Sequence, residues 1–206
     1  MRRSPGRSRD RPPGLRSVLV DSPALCGLVL AAGAGTRFGG PKALARSADG
    51  TPWLHAAVRM LRAAGCAEVL VALGAGGHEA AGLVPAAAEI VHVAHGGDGL
   101  SATLRAGIAA VEDMGADAVL ITPVDTPDAP ASAAIRVISL AGTRAGLAQA
   151  TYGGEPGHPV FIGADHFADV ITSLSGDRGA GQYLREHGAL AVECGDLWSG
   201  ADIDQR

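Results

Sequence analysis

Aromatic side chains are scarce in this chain: Phe, Trp and Tyr make up 3% of its 206 residues. A sequence that is 47% hydrophobic must then build its core from Ala, Val, Leu and Ile. That composition, with 30 glycines, fits an α/β protein whose helices pack closely on a sheet. Cysteine is also sparse. Cys26, Cys66 and Cys194 are odd in number, far apart and set in apolar surroundings, which argues against a disulfide framework and for buried free thiols in a reducing cytoplasm. His78, His92 and His95 show no metal-ligand spacing and no Cys pairs exist, so zinc is not expected. No apolar run approaches a membrane span. A net charge of −4 gives no support to general nucleic-acid binding. The G-x-S-x-G elbow of a serine hydrolase is absent.

Residues 1–23 stand apart from the rest. They carry six arginines through Arg16, several prolines and no apolar periodicity, as expected of a disordered Arg/Pro-rich tail. A signal peptide would need an apolar core, and Ser17 to Val20 is too short for one. Residues 24–206 are expected to form a single domain of ordinary size.

What organises that domain is the run Leu28 to Leu44, LVLAAGAGTRFGGPKAL. An apolar strand from Leu25 to Ala32 runs into Gly33, Gly35, Gly39 and Gly40, with Arg37 and Lys42 among them. Glycines at the end of a strand let backbone N–H groups approach an anion, and two fixed cations suit a polyphosphate. The dinucleotide fingerprint is not met, because Phe38 stands at the third glycine position and Leu73-Gly74 lacks the acidic residue. Nor is the loop a Walker motif, since Lys42 follows Pro41 without the Gly-Lys-Ser/Thr ending.

Further along, strands are expected at Glu68–Leu73, Glu89–Ala94 and Asp117–Ile121, alternating with helical patterns. Thr51 is read as the cap of a helix marked by Leu54, Val58 and Leu61, which Gly65 ends. Ser101 is read as the cap of a helix marked by Leu104, Ile108 and Val111. Later come a helix through Ile135 and Ile138, a strand near Gly146–Tyr152, a loop at Gly153–Pro159 and a short strand at Val160–Ile162. Helices at Asp165–Thr172 and Gly179–His187 and a strand at Ala189–Glu193 complete the expected elements. Alternation of this kind argues for βαβ units and a mostly parallel sheet. Right-handed crossovers would gather the glycine loop, His95–Gly99 and the Asp125 turn on one edge, where such sheets bind ligands.

Asp125, between Pro123 and Pro127 at a strand end, is a candidate Mg²⁺ ligand. Asp202 and Asp204 alternate and would point to opposite sides of a strand, so one of them could add a carboxylate. His158, between Gly157 and Pro159, can be aimed into a site. Asp177-Arg178-Gly179 opens a helix, with either charge a cap or a phosphate contact.

These residues carry a resemblance. Leu30 to Lys42 resembles the L-A-A-G-x-G-x-R-M-G-x-x-K signature of MobA-like nucleotidyltransferases, nearest to their molybdenum cofactor cytidylyltransferase branch. Gly99–Leu104, Pro123–Pro127, Gly157–Phe161, Gly176–Ala180 and Asp202–Asp204 resemble later blocks of that family, in order. The resemblance implies a Rossmann-like three-layer α/β/α fold and a Mg²⁺-dependent, cytoplasmic enzyme. It would move NMP from an NTP to a phosphate-bearing acceptor such as molybdopterin. Ala31, Ala32, Gly33, Gly35, Arg37 and Lys42 would hold the nucleotide, with Ser101 and Thr103 near base and ribose. Arg37, Lys42 and Asp125 would be catalytic, Asp125 and Asp204 metal ligands, and His158 and Arg178 acceptor contacts. Ala32, where the guanylyl branch has glycine, leans toward CTP. The chain departs from the family pattern at Phe38, at Gly181 and after Asp204. Gly157–Val160 also resembles relatives named nicotine blue oxidoreductase, which makes an NAD(P)H oxidoreductase the rival reading. A non-catalytic ligand carrier on the same fold is the third.

Overall fold

In the computed structural model, residues 24–36, 38–74, 77–93 and 99–204 are described; the arginine-rich tail lies outside them. The order of elements is β1 (Leu25–Ala31), α1 (Trp53–Ala63), β2 (Glu68–Leu73), α2 (Gly77–Ala81), β3 (Glu89–His92), α3 (Gly99–Asp113) and β4 (Ala118–Pro123). Then follow α4 (Ala131–Ala141), β5 (Leu147–Tyr152), β6 (Glu155–Gly163), α5 (Phe167–Ser173), α6 (Gly181–Glu186) and β7 (Leu190–Glu193). The strands form one seven-stranded sheet in the order β3-β2-β1-β4-β6-β5-β7. β1 pairs in parallel with both β2 and β4, β2 with β3, and β5 with β7. β6 is antiparallel to β4 and β5, so the sheet is mixed but mostly parallel, as expected.

Alternation along the strands sends side chains to two helix layers. On one side Val29, Val71, Leu120 and Phe161 pack with Leu54, Val58 and Leu61 of α1 and Val137 of α4. On the other, Leu28, Leu70, Val119 and Ile162 pack with Leu104, Ile108 and Val111 of α3, Val170 of α5 and Leu184 of α6. The shortage of aromatics is met by close approach. A Cβ on Gly27 would lie 2.9 Å from Leu61 Cδ1, and one on Gly107 would lie 2.6 Å from Leu28 Cδ2. Cys26, Cys66 and Cys194 are buried free thiols. Burial pushes Cys26 up to about 11 and Cys66 to about 12.

Three local expectations are corrected. Pro52, not Thr51, occupies the position before α1, with no side-chain cap bond; the Thr51 N–H donates instead to Asp49 Oδ1 at 2.9 Å. Ser101 lies inside α3, which already starts at Gly99. The helix expected through Ile135 and Ile138 is α4; it leaves Ile135 49% exposed and turns the smaller Ala133, Ala134 and Val137 to the sheet. The segment after Gly153-Gly154 is not a loop: β6 begins at Glu155 and pairs back on β5 through Thr151–Pro156 and Tyr152–Glu155.

β1 is the strand with parallel neighbours on both sides that lead in opposite directions, toward β2 on one flank and β4 on the other. Loops leaving the carboxyl ends of β1 and β4 therefore part around a crevice.

Candidate active site

The glycine loop is folded on the carbonyl of Gly35. That carbonyl accepts the N–H groups of Phe38 and Gly40, both at 3.0 Å. Gly35 has φ +60°, and a Cβ there would stand 1.9 Å from the Gly40 carbonyl oxygen, so only glycine allows this turn. Gly33 differs, since nothing lies within 4 Å of a Cβ built on it. Its exposed backbone faces open space. Phe38 is buried against Trp53, ring centroids 5.3 Å apart, and so anchors the far side of the loop. Arg37 lies outside the described residues.

Beside this loop runs the turn after β4. The Val124 N–H donates to the Leu30 carbonyl at 3.1 Å, which places Asp125 next to the end of β1. The last segment of the chain joins it: the Ile203 N–H donates to the Asp125 carbonyl at 3.0 Å. Residues 201–204 are not a strand, so the alternation expected of Asp202 and Asp204 does not hold. Instead one carboxylate oxygen from each of Asp125, Asp202 and Asp204 comes within 4.8 Å of the others. Lys42 reaches into the group, its Nζ donating to Asp125 Oδ2 at 2.8 Å and to Asp204 Oδ1 at 2.7 Å. Burial alone would lower the Lys42 ammonium, but the bonds to these two carboxylates outweigh it and hold it above its ordinary value. Asp125 Oδ1 is buried and has no hydrogen-bond partner among the described residues. A buried carboxylate oxygen without a partner is costly. Three clustered carboxylates, one with an orphaned oxygen, fit a hard divalent cation that takes oxygen ligands.

These groups line one cavity of about 730 Å³. Its walls include Ala31, Ala32, Gly33 and Gly35 from the first loop, Lys42, and Asp125 and Asp204. Thr103 on α3 and His158 on β6 close it from the other sides. Burial pushes the His158 imidazole below its ordinary value, against the opposing pull of Asp125 and Asp202. Its backbone is fixed by Tyr152, whose hydroxyl donates to the His158 carbonyl at 2.7 Å. Of the other expected site residues, Ser101 is buried but is not a wall of this cavity, and Arg178 is exposed away from it. Asp177, its neighbour, is a wall instead. It packs over Gly99, where a Cβ would meet Asp177 Oδ1 at 2.1 Å.

Of three further contributors, one carries no signal in the sequence and two carry only part of one. Tyr152 gave no signal there, because its role depends on the β5–β6 hairpin. Asp177 is expected as a helix cap or a phosphate contact, and α6 starts only at Gly181, too late for the cap. Strand alternation admits only one of Asp202 and Asp204, but the chain is irregular there.

The mixed sheet is of the Rossmann-like α/β class, with an acidic and glycine-lined crevice at its switch point. Residues 27–191 match the model of the MobA-like NTP transferase domain, and the chain belongs to that family. It is also similar to the nicotine blue oxidoreductase of Paenarthrobacter nicotinovorans, with 33% identity over 199 residues, 90% of this chain and 94% of that protein. Among solved structures, the Mycobacterium sp. strain JC1 homologue of Mycobacterium tuberculosis Rv0371c superposes with a TM-score of 0.75 at 29% identity, over 88% of this chain and 91% of that one. Rv0371c from M. tuberculosis H37Rv, solved as a complex with manganese, shares the fold with a TM-score of 0.66 at 24% identity, over 83% of this chain and 87% of that one.

Proposed function

We propose that this chain transfers NMP, CMP favoured, from an NTP to a phosphate-bearing acceptor such as molybdopterin, with release of pyrophosphate. The observation that carries this reading is the buried Asp125 Oδ1, without a partner among the described residues, beside Asp202, Asp204 and Lys42 in a cavity walled by glycine backbone. Asp125 and Asp204, with Asp202 joining them, would hold Mg²⁺, and the bound ion would polarise phosphate oxygens and neutralise charge that builds on them. A phosphate oxygen of the acceptor attacks the α-phosphorus, the α–β bridging bond breaks, and its electron pair leaves with pyrophosphate. The protein supplies position and charge rather than covalent chemistry.

Each residue has a part in that scheme. Gly33 and Gly35 leave backbone N–H groups open to the triphosphate, with Ala31 and Ala32 at the strand end. Lys42 and Arg37 offset charge on the leaving pyrophosphate. Thr103 in the cavity wall contacts base or ribose, while Ser101, two residues earlier on α3, is buried off that wall. His158, kept neutral at physiological pH by burial, offers the acceptor a hydrogen bond. Arg178 reaches the acceptor from outside the cavity. The buried thiols agree with a reducing cytoplasm as its location.

The near full-length similarity to a nicotine blue oxidoreductase favours one second reading, an NAD(P)H-dependent reduction on the same fold. Against it, the glycine loop leads into a 3-10 turn at Lys42–Leu44 rather than into a helix N-terminus, and β2 ends at Leu73 without an acidic residue. Binding of CTP, GTP, ATP and NADPH, with and without Mg²⁺, followed by pyrophosphate release, tests the two. One NTP should bind in a Mg²⁺-dependent way and release pyrophosphate with an acceptor. Binding of NADPH alone would overturn the transferase reading.

A further inference from the structure

Of the 17 basic residues in this chain, Lys42 is the one lysine; all the others are arginines. That lysine is the group seated among the carboxylates. Its Nζ is 2.8 Å from Asp125 Oδ2 and 2.7 Å from Asp204 Oδ1. Both side chains of the Lys42–Asp125 pair are largely buried, at 16% and 18% exposure. The ammonium therefore holds a position that a cation ligated by the same oxygens would need.

A divalent ion bound by carboxylates sits about 2.0 to 2.6 Å from their oxygens. Bound to Asp125 Oδ2 and Asp204 Oδ1, it would crowd the Lys42 nitrogen, and two cations that close repel strongly. On those two oxygens the ion and the ammonium exclude each other. Lys42 has somewhere to go, because it already lines the cavity that the glycine loop also walls. A compact ammonium on a flexible four-carbon stem suits such an exchange; a planar guanidinium, locked in a fork on a carboxylate, does not.

We propose that Lys42 is a tethered counter-cation, which holds the Asp125–Asp204 pair together until a divalent ion displaces it into the phosphate cavity. The proposal rests on the metal and triphosphate roles given under the proposed function, and it adds that the two ligands are coupled through one side chain. An ion arriving alone must displace the ammonium, so it binds weakly. When polyphosphate is present the released ammonium gains a new partner, so each ligand favours the other. By linkage the effect is reciprocal.

The test uses Mn²⁺ alone, without nucleotide, and reads free Mn²⁺ by electron paramagnetic resonance. Lys42→Met should bind Mn²⁺ at least about tenfold tighter than the wild type, and equal or weaker binding overturns the exchange. A second measurement needs no variant. Lys42 is the chain's one side-chain amine, so its acylation by an N-hydroxysuccinimide ester can be followed by mass spectrometry. Saturating Mg²⁺ should speed that labelling several-fold; an unchanged or slower rate overturns the exchange and leaves charge repulsion alone to explain tighter binding in Lys42→Met. Asp125→Asn separates this proposal from the reading beneath it. Loss of Mn²⁺ binding in Asp125→Asn, with no effect of Lys42→Met, refutes the exchange and keeps the metal site. Absence of Mn²⁺ binding in the wild type and in Lys42→Met removes both.

Discussion

The backbone N–H of Ile203 donates to the carbonyl of Asp125 at 3.0 Å, and this bond closes the carboxylate cluster. It ties residues far apart in sequence without using either side chain, so Asp202 and Asp204 flank the tie and both project toward Asp125. The partly buried Ile203 side chain also packs on the core beside α1 and α4, and Trp198 meets Tyr152 edge to face at 5.4 Å. Backbone and apolar contacts thus hold the C-terminal segment together with the Lys42–Asp204 ion pair, and they set its two carboxylates beside Asp125.

Because the tie is made by backbone, neutralising those carboxylates should leave the segment in place. Asp202→Asn/Asp204→Asn is expected to unfold within a few degrees of the wild type in the absence of metal. Millimolar Mn²⁺ should raise the wild-type melting temperature, since a ligand at 100 times its Kd adds about 2.7 kcal/mol to stability. The double variant should lose that rise. Thermal unfolding with and without Mn²⁺ checks both halves, and a retained rise would move the metal site elsewhere.

Asp125→Asn separates function from folding more sharply. Among the described residues Asp125 Oδ1 has no partner, and Asp125 stands within a cluster of three acidic side chains. Replacing a strained carboxylate by a neutral amide relieves repulsion, so the melting temperature should hold or rise. Turnover should fall about 100-fold or more, the scale on which a charge-stabilising group at a reaction centre is felt. Pyrophosphate release measured beside thermal unfolding would show the two effects moving in opposite directions.

Glu193 makes a prediction about pH. Its carboxylate accepts the N–H groups of Gly153, Gly154 and Gly195 and the hydroxyl of Thr151, at 2.9 to 3.2 Å. These bonds, the Gly153 N–H first among them, hold the carboxyl below its ordinary value of 4.5. The folded state therefore binds the proton more weakly than the unfolded state does. The stabilisation is complete above the ordinary value and is lost as pH falls through the lower, folded one. Glu193 pins the turn between β5 and β6, the strand that carries His158. Glu193→Gln should therefore melt lower than the wild type at pH 7, with the gap narrowing below about pH 4, as a pH series of melting curves would show.

How far the sequence could be read depended on whether the signal was local. β2 is legible to the residue, because a short apolar run bounded by Ala67 and Gly74 has one reading. β6 is not, since Glu155, Pro156 and Gly157 look like a turn and become strand only by pairing across to Thr151 and Tyr152. The same holds at the site. Lys42 and Asp125 stand out because glycine and proline frame them, and the structure joins them at 2.8 Å. Strand geometry would send Asp202 and Asp204 in opposite directions, but their segment owes its shape to Ile203 and Trp198. Periodicity sees secondary structure; it does not see a backbone tie to a residue 78 positions away (203 − 125).

The two leading glycines of the loop should respond differently to one added methyl group. At Gly35 the backbone is at φ +60° and the methyl would stand 1.9 Å from the Gly40 carbonyl oxygen. Gly35→Ala must therefore open the turn, at a cost of about 1 to 3 kcal/mol for the left-handed backbone alone, and both stability and NTP binding should drop. Gly33 has an ordinary backbone and open space around a Cβ, so Gly33→Ala should melt with the wild type. If the Gly33 backbone faces phosphate oxygens, the methyl then occupies the space they need, and NTP affinity should fall about tenfold with no loss of fold. Calorimetric titration of both variants, read against their melting curves, distinguishes a loop that cradles a ligand from one that merely turns the chain. Unchanged NTP affinity in Gly33→Ala would leave the loop with the second role alone.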